Sequence, residues 1–149
     1  MIRKAKVTDI KSIQKLINYH AKRDKMLPRS LNELYENIRD FFVYAEGAKI
    51  YGCCALHIDW EDLSEIKSLA VAPSKSGKGI GGKLLEECIK EARALKLKKV
   101  FALTYAPGFF EKFGFKIINK EDLPHKIWSE CIKCVYFPEC KEIAVMREL

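Results

Sequence analysis

No stretch of this chain approaches the uninterrupted apolar length that a bilayer-spanning helix requires, and the N-terminus opens M-I-R-K-A-K-V without a hydrophobic leader region. These absences exclude a helical membrane protein and predict a cytoplasmic one. Acidic residues are in deficit, 20 against 27 lysines and arginines, for a formal charge of +7. Such an excess is either a lysine-rich solvated surface or an attractor for anions. Basic residues are spread along the chain without an aromatic-interleaved patch, which argues against nucleic acid as the partner. Repeats and low-complexity tracts are missing too. With 48% apolar residues among 149, the chain suits one compact domain spanning residues 1–149.

Glycine is sparse, eight in all, yet Gly77, Gly79, Gly81 and Gly82 fall within six residues. Before them residues 66–71 are apolar and strand-compatible. After them Ile80, Leu84, Leu85, Cys88, Ile89, Ala92 and Leu95 recur at helical spacing. The cluster therefore opens a helix, where first-turn N–H groups lack partners and the dipole favours an anion. Four glycines there cost about 1 kcal/mol each in helix propensity, which argues for more than a turn. Their missing Cβ atoms let a phosphate approach the backbone, and Lys75, Lys78 and Lys83 add positive charge.

Two familiar phosphate sites are excluded by what is missing around these glycines. Gly77, Gly79 and Gly82 spell the dinucleotide fingerprint, but five residues separate them from the strand and no acidic residue stands about 20 positions on. The spacing from Gly77 to Lys83 matches a P-loop, but Leu84 occupies the place of the magnesium-binding Ser or Thr.

Cysteine is the exception to scarcity. Three of six lie in C-I-K-C-V-Y-F-P-E-C, where Cys131, Cys134 and Cys140 with His125 can supply four metal donors at a non-standard spacing. Packed thiols or a disulfide are the alternatives, the latter disfavoured in a reducing cytosol unless the source is hyperthermophilic. Cys53, Cys54 and Cys88 read as small buried hydrophobes.

In chain order, residues 2–7 read as an edge strand. Thr8 and Asp9 cap a helix with Ile10, Ile13, Leu16 and Ile17 inward, ending near Lys22. Ser30 and Glu33 have capping-box spacing ahead of a second helix with Leu31, Leu34, Tyr35, Ile38 and Phe41 inward. Arg29, just before that cap, is either an ordinary exposed loop arginine or a fork for a carboxylate. Strands at 42–45 and 49–58 form a hairpin turned at Glu46 and Gly47, and residues 60–64 make a polar connection. A strand at 99–105, a short helix from Pro107 stopping at Gly114, a strand at 115–118, a helix carrying Ile127, Trp128 and Cys131, and a closing strand at 142–147 complete an α+β sandwich around a mixed sheet.

The segment V-A-P-S-K-S-G-K-G-I-G-G-K-L-L at residues 71–85 resembles the acetyl-coenzyme A motif of the GNAT family of N-acetyltransferases, and F-F-E-K-F-G-F at 109–115 resembles a second element of that family. Two positions depart from the pattern. Ser76 stands where the family has Arg or Gln, and Phe110 where it has the Tyr often proposed to protonate the leaving thiolate. The chain is further similar to the acetyltransferase domains of N-acetylglutamate synthases in residues 26–43, G-C-C-A-L-H at 52–57, 60–71 and 123–134.

This resemblance implies a mixed, mostly antiparallel GNAT sheet flanked by helices. It also implies acetyl-coenzyme A as donor, L-glutamate as acceptor at its α-amine, and direct transfer in a ternary complex without a metal. By the same resemblance, backbone at Leu69, Ala70 and Val71 and the loop of Ser76, Gly77, Lys78, Gly79, Ile80, Gly81 and Gly82 hold the cofactor. Glu65 becomes the general base, for which a pKa near 6 to 7 would serve. Arg29 becomes the carboxylate ligand, and Tyr105 either a substitute acid for Phe110 or a core tyrosine. Feedback by arginine through the amino-acid kinase-like domain of the long synthases is not expected. Another amine acceptor stays open, as does a non-catalytic coenzyme A-binding or nucleic-acid-binding module, and a homodimer is compatible with the sequence.

Overall fold

The computed structural model describes residues 1–123 and 142–149. In chain order these form β1 (Ile2–Lys4), α1 (Ile10–Ala21), α2 (Leu31–Glu36), β2 (Phe41–Glu46), β3 (Lys49–Trp60), β4 (Leu63–Val71), α3 (Ile80–Ala94), β5 (Lys99–Thr104), α4 (Pro107–Glu111), β6 (Lys116–Ile118) and β7 (Ile143–Glu148). The strands make one seven-stranded sheet in the order β1-β2-β3-β4-β5-β7-β6. Neighbours are antiparallel except β4 and β5, which run parallel. This is the mostly antiparallel, helix-flanked sheet that the resemblance implies.

Alternating residues of the strands feed two layers. On one face Cys54, Leu56, Ile66, Val100, Ala102 and Val145 pack under Leu84, Leu85, Cys88 and Ala92 of α3 and Phe110 of α4. On the other, Val43, Cys53, Ala55 and Ala70 pack under Ile10, Ile13, Leu16 and Ile17 of α1 and Leu34 of α2. Further along that second face Leu63, Phe101, Leu123 and Ala144 form a separate cluster.

Several expectations are corrected in detail. Thr8 does not cap α1; Asp9 accepts instead from the Lys6 N–H at 2.7 Å, closing a 3₁₀ turn ahead of the helix. The second helix is short, so Tyr35 is exposed and Phe41 belongs to β2. Residues 60–64 are not a polar connection, because β3 continues to Trp60 and β4 starts at Leu63. Leu95 is exposed; Lys96 turns left-handed at φ 62°, and the buried Leu97 takes its place against the core. The helix expected around Ile127, Trp128 and Cys131 lies outside the described residues.

Two irregularities interrupt the middle of the sheet. The β4–β5 ladder has only three rungs, Leu63 with Lys99, Ser64 with Val100 and Glu65 with Phe101, although both strands continue. And β4 carries a bulge opposite Cys54, with Ser68 at φ 55° and its carbonyl accepting from the Cys53 thiol at 3.3 Å. The extra residue reverses the alternation, so that Leu69 and Val71 face α3 while Ala70 turns to the α1 side.

Candidate active site

Beyond Glu65 the two parallel strands part, and the gap between them is the centre of the candidate site. Because Ala72 N–H donates to the Tyr51 carbonyl at 2.8 Å, the N–H and C=O of Val71 point away from β3 and toward the gap. The carbonyl of Val71 accepts from His20 Nε2 at 2.8 Å, and the Val71 N–H turns to the same side, into the gap. His20 is a contributor that the sequence did not flag; a histidine in the last turn of a helix carries no signal of a strand 51 residues away.

At the mouth of the gap stands the N-terminus of α3. Gly77 and Gly79 take φ of 76° and 77°, where a side chain would be strained, and a Cβ at either would point into open space. Gly79 caps the helix without a side-chain hydrogen bond, and no acidic residue occupies the first turn. The amides of Ile80, Gly81 and Gly82 are therefore available to an anion. Ser76 and Lys78 lie exposed beside them. Gly82 has a steric reason of its own, since a Cβ there would come within 2.5 Å of the Phe113 ring. Lys75 is held away from the loop by Glu46 at 2.9 Å, so the positive charge at the glycines comes from Lys78 and Lys83.

Glu65 occupies the last rung, at the apex where the strands part, and is 6% exposed. It shares the α1/α2 face with Lys67, whose Nζ lies 3.7 Å from Oε1. Opposite it on β3 is His57, whose Nδ1 donates to Asp40 Oδ2 at 2.7 Å. That hydrogen bond raises the imidazole pKa above its ordinary value, against burial and the nearby Lys67. Asp59, also buried, adds a further acid on β3. The histidine ends the G-C-C-A-L-H segment, but its partner lies 17 residues earlier, so the pairing was invisible in the sequence.

Arg29 precedes α2, where Ser30 Oγ caps the helix by accepting from the Glu33 N–H at 3.1 Å. Its carbonyl accepts from Gln14 Nε2 of α1 at 3.3 Å, and its guanidinium meets Glu33 at 3.2 Å. Arg29 is thus on the α1/α2 side, as is Glu65. Tyr105 follows β5, four residues beyond the Glu65–Phe101 rung, and is exposed rather than a core tyrosine. Phe110 is buried, edge-on to Phe109 and Phe115.

The thiol of Cys53 is pushed up to about 12 by burial, and Cys54 is raised with it by the hydrogen bond from Cys88 and by burial, so neither is a nucleophile at neutral pH. His125, Cys131, Cys134 and Cys140 lie outside the described residues, and no metal-binding cluster occurs among the described ones.

Residues 37–117 match the model of the acetyltransferase (GNAT) domain. The chain is 38% identical to an uncharacterized N-acetyltransferase of Chlorobaculum tepidum, over 99% of its own length and 96% of the relative's. It is 34% identical to the amino-acid acetyltransferase of Mycobacterium tuberculosis, over 87% and 76% of the two chains. Its fold superposes with a TM-score of 0.91 on the crystal structure of N-acetylglutamate synthase from Neisseria gonorrhoeae complexed with coenzyme A and N-acetyl-glutamate, at 28% identity, covering all of this chain and 35% of that longer one. With a glycine-opened helix at the mouth of a split parallel pair and a family match over more than half its length, the chain belongs to the GNAT family of acetyltransferases.

Proposed function

We propose that this protein transfers the acetyl group of acetyl-coenzyme A to the α-amine of L-glutamate, as an enzyme of arginine biosynthesis acting in the cytoplasm. The observation that carries the reading is the placement of a buried carboxylate at the apex of a gap whose mouth is an uncapped helix N-terminus. From Glu65 to Val71 the bulged strand runs alongside the five steps from His57 to Gly52 of β3, about 17 Å at 3.3 Å per residue, a span suited to an extended pantetheine arm.

The thioester donor supplies an activated acetyl group and a thiolate leaving group. The chain supplies the rest. Amides at Ile80, Gly81 and Gly82 and the charges of Lys78 and Lys83 bind the phosphates. The bulge in β4 aims the backbone of Leu69 and the Val71 N–H into the gap, which orients the arm. Glu65 takes a proton from the acceptor ammonium at the apex, so that a neutral amine attacks. Arg29 pairs with the acceptor carboxylate, exchanging its contact with Glu33 for a bidentate one. Tyr105, on the strand across the gap from Glu65, supplies the phenol that returns a proton to the thiolate, the role Phe110 cannot fill.

A panel of amino acids, a diamine and a peptide amine, each with acetyl-coenzyme A and read by thiol release, tests the acceptor. Glutamate should give the highest kcat/KM. Equal rates with alanine or a diamine would overturn the glutamate assignment and leave an acetyltransferase for another amine.

A further inference from the structure

The α1/α2 face of the sheet is apolar at both ends and charged between them. Val43, Cys53, Ala55 and Ala70 lie on one side, Leu63, Phe101 and Ala144 on the other. His57, Asp59, Glu65 and Lys67 occupy the strip between, with Asp40 reaching in from the 3₁₀ turn Ile38–Asp40. Glu65 and Asp59 are buried and His57, Asp40 and Lys67 half-buried; gathering such groups is costly unless their charges compensate, and such clusters concentrate where a proton affinity has to be set.

We propose that His57, clamped by Asp40, is a positioning residue that sets the proton affinity of Glu65. This rests on the reading of Glu65 as the general base. His57 and Glu65 are direct partners across the antiparallel β3–β4 pair, a relation that places Cβ atoms about 5 Å apart on the same face. Asp40 Oδ2, 2.7 Å from Nδ1, fixes the ring and favours its charged form. Among the described residues the charged groups around the ring are Asp40 from the 3₁₀ turn, Asp59 on its own strand, and Glu65 and Lys67 on β4. Two of the acids, Asp40 and Asp59, support the imidazolium and Lys67 opposes it.

While the ring is charged it holds the Glu65 carboxylate ionised, and with it neutral the carboxylate becomes harder to ionise. The acidic limb of the rate profile therefore reflects both groups and not Glu65 alone.

The test is the pH dependence of kcat for acetyl transfer by the full chain in His57→Gln, His57→Lys, Asp40→Asn and Glu65→Gln. In His57→Gln and Asp40→Asn the acidic limb should move up by about 0.5 to 1 pH unit, because a positive neighbour is lost or weakened. His57→Lys, which restores the charge without the ring, should return the limb to the parent position or below. A ring that merely filled space would leave the limb unmoved in His57→Gln and make Lys as harmful as Gln. Imidazole NMR supplies a second reading, with the His57 pKa falling in Asp40→Asn and in Glu65→Gln. An unmoved limb in His57→Gln, alongside loss of the limb in Glu65→Gln, overturns the proposal and spares the base. A limb that persists in Glu65→Gln removes the base assignment, and the proposal falls with it.

Discussion

The two ends of the gap are built from different material. At the mouth the groups proposed to meet a ligand are backbone amides on a glycine-opened helix, with exposed lysines beside them. At the apex they are side chains, the buried Glu65 with the half-buried Lys67 and His57, each needing a partner at a particular rung. Backbone recognition depends on the path of the chain and tolerates side-chain change. Side-chain recognition has no such tolerance. Specificity for the acceptor should therefore be fragile and binding of the donor robust.

The largest effect should come from the apex. Glu65→Gln is expected to lower kcat by about 10²- to 10⁴-fold and to remove the acidic limb of the rate profile, while calorimetry shows acetyl-coenzyme A binding nearly unchanged. Unchanged turnover would place the chemistry elsewhere and break the comparison.

At the mouth, Gly81→Val should weaken acetyl-coenzyme A by about 10-fold or more, the loss of a charge-assisted hydrogen bond. It should stay folded, because a Cβ at that position meets Phe109 only at 3.5 Å. Gly82→Val should instead lower the melting temperature, since its Cβ strikes Phe113 and overpacking costs about 1 to 3 kcal/mol. Circular dichroism with a cofactor titration separates the two; a shared outcome would mean that the glycines act as one turn.

Arg29→Lys keeps the charge but loses the fork, and should raise the apparent KM for glutamate by about 10-fold with little change for acetyl-coenzyme A. Steady-state kinetics on both substrates checks this. Equal glutamate kinetics in the variant would detach Arg29 from the acceptor.

The smallest effect lies far from the gap. Arg3 hydrogen-bonds Asp9 at 2.8 Å and holds its carboxyl below the ordinary range. A carboxylate depressed in the folded state contributes stability that is present above the unfolded value, about 3.9, and is lost as pH falls through the folded one. Asp9→Asn should thus cost about 1 to 2 kcal/mol at pH 7 in urea unfolding, and the difference from the parent should shrink on acidification below pH 4. A difference that persists at pH 2 would assign the cost to packing.

Much of the architecture was legible because it rests on local pattern. The apolar stripes of α1 and α3, the hairpin of β2 and β3, and Pro107 at the start of α4 all follow from spacing and turn chemistry. The family was legible in residues 71–85 for the same reason, a loop whose glycines have few other uses. What escaped were features made by pairs distant in sequence. The end of the β4–β5 ladder at Glu65, the His57–Asp40 contact and the His20 bond to Val71 require knowing which strands adjoin. Gly82 was legible as part of the glycine cluster, but its steric reason, a phenylalanine 31 residues on, was not.

An edge strand ordinarily faces solvent and invites unwanted pairing. This sheet carries a pair of partial edges in its own interior, where β4 and β5 turn backbone groups toward each other across the gap beyond the third rung. They are recessed between strands held by neighbours on their outer sides, β3 and β7, so a foreign chain cannot approach them laterally. What can enter is an extended, amide-bearing ligand sliding in from the mouth end, which would serve as a surrogate strand and close the sheet with hydrogen bonds that the protein leaves for it.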